Sequence, residues 1–293
     1  MSRYKRRGGD RKEGRLLRSI SPFSRFLPYI MRDRSDAFIT YDESFEISSV
    51  DKKLRSLRVA GYRDMSFLHF FIAAYIRIVS MLPGLNRFVA GNHIYARDTI
   101  DIVFITNHGM SVDSQESTIK IQFQPSDTIF DVYRKINEKL EDMKVENVRT
   151  VLDDLTDSLA RAPRPILRFA LWFLRFLDRF GWLPENILRA SPFHSSLMLS
   201  DLTSKDAIRP ISHHLYNFGT LPLFICFGSK YHKYEPDRYG QVFDNKYIDA
   251  KIVFDERIAE GESFAQFLRA FRYIVKHPEI LDKPPTRVVE DIR

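Results

Sequence analysis

One cysteine and eight histidines narrow the chemistry open to this 293-residue chain. Cys226 alone rules out an intramolecular disulfide and a multi-cysteine zinc site, which fits a reducing compartment. The histidines are His69, His93, His108, His194, His213, His214, His232 and His277, and none of them stands at His-x-x-x-His spacing. No Cys-x-x-Cys and no Gly-rich phosphate loop of either common spacing occurs, so phosphoryl transfer and metal hydrolysis lose their usual supports. No metal is expected. For proton transfer the most suggestive group is the adjacent pair His213-His214, since consecutive side chains of an extended segment point to opposite sides. One imidazole would then face a cavity and the other solvent or a partner. The bland alternative, two hydrogen-bonded surface histidines, stands beside it.

Those residues need a scaffold, and the composition supplies one. At 44% hydrophobic with 24 Phe and 13 Tyr, the chain has ample apolar mass for a core. A charged helix is expected over Ser49 to Arg58, followed by a nearly all-apolar run capped by Ser66, Phe67 to Met81, which must lie inside a packed layer. Strands are expected at Thr99 to Thr106 and Ser117 to Phe123, then an amphipathic helix capped by Asp127 or Thr128. Sheet character returns at Ser195 to Leu199, Thr220 to Gly228 and Lys246 to Phe254, and a helix carrying Phe264, Phe267 and Phe271 closes before Pro278. Long helices interleaved with non-adjacent strands predict a layered α/β sandwich whose sheet gathers strands from distant parts of the chain.

Two stretches stand outside that pattern. Residues 1–18 hold eight basic side chains against Asp10 and Glu13, which accounts for six of the seven excess positive charges. Residues 1–20 therefore read as a flexible basic arm, either simply solvated or reaching toward phosphate on a membrane, nucleic acid or coenzyme. The main domain is 21–286, followed by a tail, 287–293. Within it, about 161–188 reads as an insertion whose helix sets Arg164, Arg168, Arg175 and Arg179 within roughly 60° of one another, beside a very wide apolar face. Its own domain, a second subunit, a long-chain substrate or an anionic membrane surface could cover that face. No apolar stretch is long enough and free enough of charge to be a signal peptide or membrane span, so a cytoplasmic protein, at most membrane-peripheral, is expected.

Several short motifs, taken in order, resemble the chloramphenicol acetyltransferase-like family, which includes the dihydrolipoamide acyltransferase catalytic domains of 2-oxo-acid dehydrogenase complexes. Pro83-Gly84-Leu85-Asn86 is similar to the signature closing that family's first long helix, and Ile94-Tyr95 continues the match. Leu199-Ser200-Asp201-Leu202 sits where those enzymes have serine-asparagine-leucine-glycine. The run from Phe254 through Glu256, Arg257 and Glu260 to Gly261 falls on their Asp-His-Arg-x-x-Asp-Gly motif, with glutamate in place of histidine.

The resemblance implies a two-layer, CoA-dependent acyltransferase sandwich, a homotrimer, and a channel between protomers where a coenzyme A or carrier-protein thioester meets an acceptor. It implies Ser200 as donor to the oxyanion, with Arg257, Glu260 and Gly261 supporting the motif turn. The base is left open. Glu256 occupies the motif position, yet a carboxylate is a weaker base than imidazole, and His213 or His214 are the alternatives. No lipoyl domain, subunit-binding module or Ala/Pro-rich linker precedes the domain, so a stand-alone transferase is expected rather than a complex scaffold. A non-catalytic descendant acting as a binding or regulatory module is the equal alternative. A nucleic-acid or membrane adaptor driven by the arm is the weaker third.

Overall fold

The computed structural model describes residues 5–107, 116–146, 161–203, 208–236 and 238–292, which leaves His108 outside the described residues. Near the amino terminus come β1 (Gly14–Leu16), α1 (Pro22–Ile30), α2 (Arg34–Ala37) and β2 (Phe38–Glu46). They are followed by α3 (Ser48–Val59), α4 (Phe67–Met81), β3 (Arg87–Ala90), β4 (His93–Arg97), β5 (Ile100–Asn107), β6 (Glu116–Phe123) and α5 (Ile129–Glu146). The second half holds α6 (Arg164–Phe180), α7 (Glu185–Ala190), β7 (Leu197–Asp201), β8 (Leu223–Pro236), β9 (Val242–Asp255) and α8 (Gly261–Lys276).

The main sheet has the order β2-β9-β8-β7-β5-β6, so it does gather strands from both halves of the chain. Strand β7 runs parallel to both β5 and β8, and the other neighbours are antiparallel. Side chains alternate across this sheet as strand geometry requires. Ile102, Phe104, Leu197, Leu199, Ile225, Phe227, Ile252 and Phe254 join the large core on the helix side, while Val103, Met198, Phe224, Cys226 and Val253 form a second cluster on the other side.

The apolar run at α4 is buried nearly all round, as its composition demands, from Phe67 through Ser80 with Leu68 half-buried. Its start is a capping box in which the Ser66 side chain and His69 satisfy each other's backbone N–H groups. Burial pulls the His69 imidazole down to about 4, so the ring is neutral and its Nδ1 accepts from the Ser66 N–H at 3.1 Å. Phe71 on α4 stacks on Phe227 of β8 at 3.5 Å between ring centres, and Phe271 of α8 lies 6.0 Å from Phe71. That aromatic stack bonds the helix layer to the sheet.

The basic segment departs from the mobile arm expected of it. Strand β1 joins β4 and β3 in a small second sheet, and Arg11 is buried, its guanidinium bonded to Glu13 at 2.8 Å and Asp178 at 2.7 Å. Arg15 reaches the carbonyls of Asp291 and Ile292, each at 2.6 Å. The segment has no hydrophobic period because three residues of strand and a set of ion pairs hold it instead.

Candidate functional site

Ser200 lies near the end of β7 on the face of the sheet turned away from the helices, in register with Cys226 of β8. The two side chains are in hydrogen-bonding contact, and burial pushes the Cys226 thiol above its ordinary range. Hydrogen bonds to the sulfur from the Ile211 N–H and the Ser200 hydroxyl favour the thiolate, but burial outweighs them and the thiol stays protonated. Asp201, one residue on, turns to the helix side, accepts from the Thr203 N–H at 2.9 Å, and has its pKa raised by burial.

The segment 208–221 crosses this same outer face. Leu215 and Leu221 pack into the Cys226 cluster, and Gly228 lets the segment approach β8 because an added Cβ would stand 2.5 Å from Pro210. The turn at Gly219 has φ +85°, and a Cβ there would meet the Phe193 carbonyl oxygen at 2.3 Å. Held this way, the segment stacks the half-buried His213 ring on Phe224 at 4.6 Å, and the exposed His214 ring lies 4.9 Å from His213. The His213 Nδ1 lies 2.7 Å from the His214 carbonyl oxygen. An oxygen that can only accept requires Nδ1 to carry the proton, so in the neutral ring Nε2 keeps its lone pair. Phe224 is one pleat from Cys226, which puts its Cα about 8 Å from that of Ser200 by strand spacing.

Glu256 is elsewhere. Cys226 pairs with Lys251, and Glu256 lies five residues further along β9, in the turn beyond it. Strand rise and spacing then separate it from Ser200 by roughly 19 Å within one chain. The turn is rigid: Asp255 is fully buried and takes a two-point ion pair from Arg257, with Nε to Oδ1 at 2.8 Å and Nη2 to Oδ2 at 2.7 Å. Arg257 also donates to the carbonyls of Met31 and Arg32, at 2.9 and 3.1 Å. Arg34, buried and lowered to about 10 by that burial, lies 3.7 Å from Asp255 and donates to the carbonyls of Val89 and Tyr216.

The motif turn therefore takes its carboxylate from Asp255, two residues from Arg257 and short enough to meet the guanidinium fork. Glu260, expected in that role, is exposed at the N-cap of α8. Gly261 opens α8 with nothing within 4 Å of an added Cβ. The structure thus brings Ser200, Cys226, His213 and His214 to one region and holds Glu256, Arg257, Glu260 and Gly261 in another. Sequence reasoning missed Cys226 as the Ser200 partner and Asp255 as the Arg257 partner. Asp255 was signalled by its place at the head of the motif; Cys226 had no signal without strand register. Among the described residues, no cluster of three or more potential ligands could hold a metal ion.

No protein-family model matches the sequence, and no curated protein matches it significantly. Solved structures do resemble it. A probable dihydrolipoamide acetyltransferase from Listeria monocytogenes matches 88% of this chain and 93% of its own at 14% identity, with a TM-score of 0.54. A truncated catalytic core of the 2-oxoacid dehydrogenase multienzyme complex from Thermoplasma acidophilum matches 89% and 97% at 14% identity, TM-score 0.52. A chloramphenicol acetyltransferase matches 84% and 92% at 11% identity, TM-score 0.50. The fold is thus that of the chloramphenicol acetyltransferase-like acyltransferases, as the motifs led one to expect, and at these identities the likeness is one of fold.

Proposed function

We propose that this chain is an acyltransferase that takes an acyl group from a coenzyme A or carrier-protein thioester and gives it to a hydrophobic acceptor. One observation carries the reading: Ser200 and His213 share the outer face of the sheet, and His213 has Nδ1 committed to a carbonyl. In this chemistry the His213 Nε2 takes the acceptor's proton as the acceptor attacks the acyl carbon. The Ser200 hydroxyl donates to the oxygen that gains charge, the carbon–sulfur bond breaks, and the leaving thiolate recovers the proton. His214 supplies the carbonyl that orients His213. Glu256 would reach Ser200 only from a neighbouring protomer, which fits the homotrimer implied by the resemblance, with Arg257 and Asp255 holding its turn.

A second reading has its own support. Glutamate stands where the motif histidine is expected, and the segment 208–221 lies over the Ser200 face, as in a site that binds without turning over. Release of free thiol from a panel of acyl-coenzyme A donors, assayed for the whole chain and for S200A, H213A and E256Q, separates the two. Transfer is expected to fall 10²–10³-fold in S200A and 10²–10⁴-fold in H213A. Donor binding without thiol release supports the binding module, and turnover unchanged in all three variants overturns the assignment of the site.

A further inference from the structure

Helix α6 packs on the body by one side only, through Leu167, Ala170, Leu174, Leu177 and the buried Asp178. Its outer side exposes Ile166, Phe169, Trp172, Phe173, Phe176 and Phe180, each between 38% and 63% accessible. The arginine stripe runs along one flank of that arc. Helix α1 repeats the pattern on a smaller scale, with Phe23, Phe26, Tyr29 and Ile30 exposed around Arg25. Both helices border the same hairpin turn, Gly91-Asn92 between β3 and β4, because the clefts on its two sides share Asn92. A Cβ on Gly91 would stand 2.7 Å from the Arg179 carbonyl, so α6 is seated directly on that turn.

The cleft on the α6 side, about 330 Å³, is lined by five arginines. Two of them, Arg34 and Arg257, are engaged by Asp255 and by backbone carbonyls. The guanidiniums of Arg32, Arg175 and Arg179 have no ion pair or hydrogen bond among the described residues, and Trp172 and Phe176 form an apolar wall beside them. The carboxylates of the cleft are Asp33 and Asp178, and Asp178 is already engaged by Arg11 at 2.7 Å. Unpaired guanidiniums beside exposed aromatic rings match a ligand with a phosphate at one end and hydrocarbon at the other.

We propose that the α1–α6 face docks on an anionic phospholipid bilayer, its aromatic side chains entering the headgroup boundary and a lipid phosphate seated on Arg32, Arg175 and Arg179. Charge decides for a bilayer over a second copy of the chain. A two-fold contact must be self-complementary, and two such faces would bring arginine against arginine; a heterologous contact, as in a homotrimer, is the second-copy outcome of the test below. This inference is independent of turnover at Ser200.

The molecule carries its own reporter, since its only two tryptophans, Trp172 and Trp182, are 57% and 62% exposed on this face. The whole chain is mixed with vesicles of phosphatidylcholine alone or of phosphatidylcholine with 30% phosphatidylglycerol. With the anionic vesicles, tryptophan emission shifts to the blue and is quenched by brominated acyl chains, and binding weakens as salt rises. The exposed double variant R175Q/R179Q lowers partitioning about 25-fold, at about fivefold for each arginine removed. Should that variant fold poorly, the salt titration of the unaltered protein carries the same test. Absence of a blue shift with anionic vesicles at low salt overturns the proposal, as does equal binding to both vesicle types. Emission that is already blue without lipid and follows protein concentration assigns the face to a second copy instead. Binding of inorganic phosphate with no vesicle association assigns the cleft to a free anion.

Discussion

Replacing Asp178 by asparagine should loosen α6 from the body, and the size of the effect follows from its surroundings. The carboxylate lies 2.7 Å from Arg11 Nη2 and 3.3 Å from His194 Nε2, with Arg11 itself only 3% exposed. Burial alone would raise the Asp178 carboxyl, but the His194 ring and the Arg11 charge outweigh it and hold the group at about 2. Burial keeps the His194 imidazole low and neutral, so Arg11 is the charged partner. A carboxylate lowered from its ordinary value of about 3.9 to about 2 contributes roughly 2–3 kcal/mol of stability. Because the folded value is the lower one, that contribution is complete above pH 4 and is lost as the pH falls through 2. Asparagine also strands a buried guanidinium, although Glu13 still holds its Nε at 2.8 Å. The total cost should be about 3 kcal/mol. In urea at pH 7, with a slope of about 3 kcal/mol/M, the midpoint drops by about 1 M. Repeating the melts from pH 5 to pH 2 should narrow the gap between the unaltered chain and D178N by about 2 kcal/mol. A gap that stays constant across that range, or an unchanged midpoint at pH 7, refutes the argument.

Cys226 should resist a thiol reagent in the native protein and react at once in denaturant, because it is 1% exposed and burial raises its thiol. Rapid native labelling would show that the Ser200 face opens. Changing Gly219 to alanine should displace the segment that carries His213, through the 2.3 Å clash with Phe193 and the positive φ, at a stability cost of about 1–3 kcal/mol. Transfer activity in G219A should fall with it, and a variant with unchanged melting temperature would show that the turn is looser than its geometry.

Much of this architecture was readable from residue patterns. The Phe67–Met81 helix has the bounds its composition predicts, and the alternation of Ile119, Ile121 and Phe123 placed β6 to within a residue. The small sheet was illegible because β1 is only three residues long and its segment is held by the Arg11–Asp178 ion pair, 167 residues apart, and by Arg15 bonds to the carbonyls of Asp291 and Ile292, which no local period records. Strand β2 has no such signal, since an edge strand carrying Asp42, Glu43 and Glu46 lacks the apolar alternation of a half-buried one. The β8–β9 hairpin overruns its expected ends at both Pro236 and Val242 because its outer part is exposed on both faces. For the candidate site, the motif positions of Ser200 and Glu256 were visible in the sequence. Their separation was not, because it depends on the pairing of Cys226 with both Ser200 and Lys251.

Arg34 has a consequence for any kinetic dissection. One of its nitrogens holds the Tyr216 carbonyl, three residues from His213, while another faces Asp255, next to Glu256. The two proposed bases thus hang from a single keystone, and a change at either position can shift the other through it. Kinetic penalties at 213 and 256 should therefore combine non-additively, and a double-mutant cycle would read that mechanical linkage as an energy.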